Sequence, residues 1–177
     1  INKTQKIRKL KKKKRRLQRK ISRKYLMNKK GDSYCKTSNI IKIEKKLLKL
    51  NHRLTNIRHN YLHQVTTEII NRKPKFIVLE DLNVKGMMKN KHLSKAVAEQ
   101  CFYEFYRQIE YKSSWNNIKF IIADRFYASS KICSCCKAIK KDLKLSDRIY
   151  KCDNCNTVIN RDKNASINLY NYGKSIA

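Results

Sequence analysis

Four cysteines in two Cys-x-x-Cys pairs constrain this chain more than any other feature. Cys133-Ser134-Cys135-Cys136 is followed by fifteen residues and then by Cys152-Asp153-Asn154-Cys155. Two such pairs across a short spacer can set four thiolates tetrahedrally around one zinc ion. Two disulfides are the alternative use of the same residues. A lysine-rich chain without a leader is read as cytosolic, however, where thiols stay reduced. Cys133 with Cys136 is the better-spaced first pair, and register alone leaves a swap with Cys135 open. The spacing predicts two β-turn knuckles, with Leu143, Leu145, Ile149 and Tyr150 covering the metal.

Charge sets the partner class. Lys plus Arg number 44 against 13 Asp plus Glu, a formal net charge of +31. A field of this size calls for a polyanion, and nucleic acid is the expected one. No apolar run approaches the about 18 residues of a membrane-spanning helix, so a membrane partner is not expected. In 177 residues there is room for one ordinary domain and a small metal-stapled insert. The chain starts at Ile1 rather than methionine and is read as an excerpt of a longer polypeptide.

The amino-terminal stretch carries the densest charge. Residues 1–30 contain sixteen Lys or Arg and no acid, with Ile7, Leu10, Leu17 and Ile21 spaced for one apolar helical stripe and Lys14 interrupting it. Uncompensated cations at this density repel one another, so Lys11, Lys12, Lys13, Lys14, Arg15, Arg16, Arg19 and Lys20 are candidate phosphate contacts. Residues 29–38 read as a turn, with Cys35 inert. A second helix follows, its stripe running through Leu47, Leu50, Leu54, Ile57, Tyr61 and Val65. The two helices predict a basic hairpin over 1–70. His59 and His63 fall one turn apart on it and are read as ordinary surface or packing histidines.

Past Pro74 the texture changes. Phe76-Ile77-Val78-Leu79 reads as a strand buried on both faces, ending in Glu80-Asp81. Glu80 would emerge at the carboxyl edge of a sheet, where α/β sites form, although a solvated strand-end acid has the same pattern. Leu82–Asn90 reads as a polar loop. Leu93 to about Lys112 reads as one helix, with Val97, Cys101, Phe102, Phe105 and Ile109 on the packing face. Ile118–Ala123 reads as a second strand ending at Asp124-Arg125. Asp162 opens a helix from Asn164 to about Tyr172, partly explained as its cap. The alternation is that of an α/β layer fold.

Four stretches together resemble a known family: Ile77-Val78-Leu79-Glu80-Asp81-Leu82-Asn83-Val84-Lys85-Gly86-Met87, Ser129-Ser130-Lys131-Ile132-Cys133-Ser134, Tyr150-Lys151-Cys152 and Asn160-Arg161-Asp162-Lys163-Asn164-Ala165. They resemble the OrfB or TnpB proteins of bacterial insertion sequences, known as transposases and related to type V CRISPR effectors. The resemblance runs over about residues 1–173. It implies a partial RuvC-like (RNase H type) domain: hairpin 1–70, core 71–125, four-cysteine zinc ribbon 126–159, and core 160–177 with the last acid. It implies RNA-guided cleavage of DNA, with DNA and a guide RNA as partners, in the bacterial cytoplasm at the nucleoid. Glu80 and Asp162 match the second and third catalytic acids, and Cys133, Cys136, Cys152 and Cys155 match the zinc ligands. Magnesium or manganese would be the catalytic ion, since clustered carboxylates hold hard cations. Arg125 and Asn164 would sit near the scissile phosphate, with pairing to Asp124 the other use of Arg125.

One departure from the family matters. The first catalytic aspartate, in a Gly-Ile-Asp-Leu-Gly type motif, has no counterpart here. Two acids do not complete a two-metal site, so the chain alone is expected to lack nuclease activity. It reads as the carboxyl-terminal part of a guided endonuclease. The alternatives are a truncated paralogue that only binds nucleic acid, and a bare zinc-ribbon module in which Glu80 and Asp162 are structural.

Overall fold

The computed structural model describes residues 4–144 and 146–176. Helix α1 (Gln5–Met27) starts at Thr4, whose hydroxyl accepts from the Ile7 amide. A two-residue hairpin, β1 (Lys29–Lys30) and β2 (Ser33–Tyr34), turns the chain through Gly31, whose φ of 58° suits a residue without a Cβ. Helix α2 (Ser38–Asn71) returns, capped in the same way by Thr37 on the Ile40 amide. The two run antiparallel. At one end the Tyr25 hydroxyl donates to Glu44 at 2.8 Å, and at the other Lys11 and Arg58 both reach Glu99.

The apolar stripe of α2 drifts from its expected course. Ile40, Leu50, Leu54, Leu62, Thr66 and Ile70 are buried, whereas Tyr61 is 45% exposed and Val65 only half-buried. The cause is a change of partner. The first half of α2 packs on α1, but the second half packs on a later helix, α5 (Phe102–Trp115). There the Thr66 hydroxyl donates to the fully buried Gln108 at 3.0 Å.

Strand β3 (Phe76–Glu80) pairs in parallel with β4 (Lys119–Ala123), Phe76 opposite Lys119 and Glu80 opposite Ala123. Every residue of β3 is half-buried rather than buried on both faces. Only these two strands make up the sheet among the described residues, so flanking strands do not enclose it. The connection between them differs from expectation in two places. Residues 82–90 contain a short helix, α3 (Val84–Lys89), because the Asn83 side chain caps it by accepting from the Gly86 amide at 2.9 Å. The single helix expected over 93–112 is two, α4 (Ser94–Gln100) and α5. Cys101 between them has φ 54° and ψ 44°, a left-handed conformation that a right-handed helix cannot continue through.

Antiparallel β5 (Ile149–Lys151) and β6 (Val158–Asn160) lead into α6 (Arg161–Ile176), which packs across β3 and β4. Contact there is close. A Cβ on Gly173 would lie 2.3 Å from Val78 Cγ2 and 2.7 Å from Phe76 Cε2, so only glycine lets α6 approach the strand. Tyr170 stacks on Phe76 beside it.

Candidate metal centre and acidic cleft

The four cysteines sit on two equivalent loops. The Cys133 amide donates to Ala138 O at 2.8 Å, and the Cys152 amide to Thr157 O at 2.9 Å, each spanning five residues. The residue after the second cysteine of each pair is left-handed, Lys137 at φ 65° and Asn156 at φ 55°. Each loop thus curls its two thiols to the same side. A left-handed residue following a Cys-x-x-Cys pair is a backbone requirement that neither lysine nor asparagine advertises in sequence.

The four sulfurs of Cys133, Cys136, Cys152 and Cys155 all lie within 4.8 Å of one another. Cys133 and Cys155 are 3.6 Å apart, and Cys136 and Cys152 are 3.5 Å apart. These separations are too long for disulfides, whose sulfurs sit about 2.05 Å apart. They match the edge of a tetrahedron with about 2.3 Å metal–sulfur bonds, roughly 3.8 Å. The residues therefore fit a structural zinc ion. Cys135 is exposed and lies outside the cluster.

Tyr150 is fully buried against the cysteines, with Leu143 and Ile159 around it, and burial pushes its hydroxyl up to about 12. Ile149, expected to cover the cluster, is 64% exposed, because it alternates outward from Tyr150 on β5. Leu145 lies outside the described residues. The Thr157 hydroxyl, 3.1 Å from Cys155 Sγ, holds that thiol down to about 6.

Helix α6 ties the first cysteine loop to the sheet. Asn164 accepts from the Ser134 amide at 2.9 Å and donates to Ile132 O at 2.7 Å. One turn on, Asn168 donates to Ser129 O at 2.9 Å and Ile132 O at 2.6 Å. Both side chains are buried. Asn164 thus clamps the first cysteine loop, with its side chain fully buried. The helix cap also differs from expectation. Asn160 accepts from the Asp162 and Lys163 amides, which leaves the Asp162 carboxylate exposed in the first turn.

Glu80 stands at the carboxyl end of β3. Its carboxylate accepts from Ser129 Oγ at 2.5 Å, and its carbonyl accepts from the Tyr106 hydroxyl. Glu80 and Asp162 line the same cleft, of about 550 Å³, with Arg148 and Arg161 also on its wall. A second cavity of about 390 Å³ meets the first at Glu80 and holds Asp81, Asp124 and Arg125. There Arg125 pairs with Asp81 at 2.7 Å, not with Asp124, whose carboxylate accepts from the Phe126 amide. The cysteine cluster is the one group of three or more metal-binding side chains among the described residues. Among the described residues, Glu80 and Asp162 are the carboxylates that line the larger cleft.

On α1, Lys12, Lys13, Arg15, Arg16, Arg19 and Lys20 are exposed, and Lys14 is half-buried in the stripe. Lys11 turns inward to Glu99 at 2.6 Å. His59 and His63 are exposed on α2. No helix among the described residues is long and apolar enough to cross a membrane.

Comparison with known proteins bears on this arrangement. Residues 102–169 match the family described as Cas12f1-like, TNB domain. A Streptomyces pristinaespiralis protein named "Putative RNA-guided DNA endonuclease" is 32% identical over 133 residues, covering 75% of this chain and 33% of that protein. The Escherichia coli K12 protein InsQ, carrying the same description, is 29% identical over 91% of this chain and 41% of its own length. A TnpB-like protein of Methanocaldococcus jannaschii is 30% identical over 66% of this chain and 43% of its own length. The fold is similar to a chain in the cryo-EM structure of the Cas12f1-sgRNA-target DNA complex. That likeness has a TM-score of 0.58 and 22% identity, over 74% of this chain and 38% of the other. The chain spans about a third of the length of the Streptomyces relative.

Proposed function

Because this chain belongs to the TnpB-like family, we propose that it supplies the zinc ribbon and two catalytic carboxylates of a transposon-encoded, RNA-guided, metal-dependent DNA endonuclease. The observation that carries this reading is the convergence of Glu80, at the end of β3, and Asp162, in the first turn of α6, on one cleft. These acids lie 82 positions apart in sequence, and the parallel β3–β4 pair with α6 across it is what brings them together.

In this reading residues 71–125 and 160–177 form part of a RuvC-like core, residues 126–159 the ribbon, and residues 1–70 a basic arm along the guide–target duplex. Cys133, Cys136, Cys152 and Cys155 hold a structural zinc ion. Glu80 and Asp162 offer hard oxygen donors suited to magnesium or manganese. When bound, such ions activate a water and stabilise the leaving oxygen at phosphorus. Ser129 orients the Glu80 carboxylate by donating to one oxygen, which leaves the other for the cleft. Two acids are fewer than a two-metal site uses, so the third carboxylate comes from outside these 177 residues. The protein's place is on nucleic acid in the bacterial cytoplasm.

A second reading, a zinc-ribbon nucleic-acid-binding protein without catalysis, is favoured by one observation: the cleft lacks a third metal-binding side chain among the described residues. One experiment separates the two. The chain is exchanged for the matching third of the Streptomyces relative, and the hybrid is given a guide RNA, target DNA and magnesium. Cleavage that falls at least about a hundredfold in E80Q or D162N, with guide binding intact, supports catalysis. Binding without cleavage, or cleavage indifferent to both substitutions, leaves the binding reading. Magnesium-dependent cleavage by the 177-residue chain alone would overturn the two-acid argument.

A further inference from the structure

We propose that the free end of the α1/α2 arm is an apolar wedge for nucleic-acid bases, an inference that rests on the nucleic-acid reading above. Three large apolar side chains gather at this end: Leu26 is 66% exposed, Met27 83% and Tyr34 52%. They stand far from the body. Lys11 is held at the body by Glu99, and the sixteen residues that follow it, ending at Met27, place the tip about 24 Å further out.

The tip is braced. The Tyr25 and Tyr34 rings meet edge to face at 6.1 Å. Glu44 accepts from the Tyr25 hydroxyl and pairs with Lys36 at 2.6 Å, and the Cys35 amide donates to Asn28 O. A fixed platform thus presents the apolar side chains without ordering them at the moment of contact.

Charge selects the occupant. Residues 23–36 hold Arg23, Lys24, Lys29, Lys30 and Lys36 against the single acid Asp32. Apolar side chains ringed by cations suit either a lipid surface or a base step between phosphates. A planar membrane would use the tip alone. Here exposed cations continue down the arm through Lys20, Arg19, Arg16, Arg15, Lys13 and Lys12, the pattern for a rod of phosphates whose bases the tip meets at an interruption.

The test compares the full chain with its L26S/M27S/Y34S variant, all three sites being exposed. Each binds a continuous duplex and the same duplex with two unpaired nucleotides at its centre, made as RNA and as DNA. The variant is expected to bind the interrupted duplex about tenfold more weakly, and the continuous one unchanged, with the same salt slope. The backbone that shows the selective loss identifies the source of the bases. Equal losses on both duplexes, or none, overturn the proposal. Wild-type flotation with phosphatidylserine vesicles that the variant loses, without a selective duplex effect, makes the tip a lipid contact and also overturns it. Failure of the wild-type chain to bind any duplex removes the nucleic-acid reading itself.

Discussion

Replacing Asn164 with alanine tests whether α6 and the first cysteine loop form one cooperative unit. The substitution deletes the acceptor of the Ser134 amide and one donor to Ile132 O. Ile132 O keeps Asn168 at 2.6 Å, so the main penalty is the orphaned Ser134 amide. The Ser134 amide is part-buried, so leaving it unpaired costs up to about 1–3 kcal/mol, and the void left by the fully buried Asn164 amide adds to it. With roughly 2–3 kcal/mol lost, a chain of this size should melt roughly 5–10 °C lower. Asn168→Ala should cost less, because the Asn168 Oδ1 atom is buried and already unpartnered. The two substitutions share Ile132 O, so the double variant should be non-additive by about 0.5 kcal/mol or more. Calorimetry gives the melting shifts, and release of zinc to a chromogenic chelator gives the coupling, since Ser134 sits between Cys133 and Cys136. Asn164→Ala that melts within about 1 °C of wild type and releases zinc no faster would refute the clamp.

Three other outcomes follow from the same geometry. Cys152→Ser should drop zinc content from about one equivalent to below it and unfold residues 126–159, seen as loss of amide protection there, whereas Cys135→Ser should change neither. Neutralising Lys12, Lys13, Arg15 and Arg16 should weaken binding to unrelated duplexes alike and reduce the salt slope by about three to four, while Lys11→Gln, whose partner is Glu99, should leave the slope nearly unchanged. The Arg107 guanidinium hydrogen-bonded to Glu104 holds that carboxylate down to about 2, so its stabilisation is present above the unfolded carboxylate range and is lost as pH falls toward 2. Arg107 is half exposed, which limits the effect to under about 1 kcal/mol. The urea midpoints of wild type and Glu104→Gln should differ at pH 6 and converge as pH falls through about 2; a constant gap would exclude the ion pair as its cause.

What the sequence determined by itself was whatever depends on spacing and composition. The two Cys-x-x-Cys pairs bring their thiols into one cluster because each loop is local and needs only a few backbone hydrogen bonds to close. The apolar run 76–79 and the stripe of α1 were legible for the same reason: periodicity is written in neighbouring residues. Tertiary structure decided what depends on partners distant in the chain. The stripe of α2 shifts because that helix exchanges α1 for α5 halfway along. A left-handed Cys101 splits an otherwise good helical pattern, and no residue type announces it. Asn164 and Asn168 carried no signal as clamps, because their partners are backbone groups some thirty to forty residues earlier. Lys11 and Lys12 are identical in sequence, yet only Lys11 meets Glu99. Composition sets the number of charges; packing decides which of them remain available to a partner.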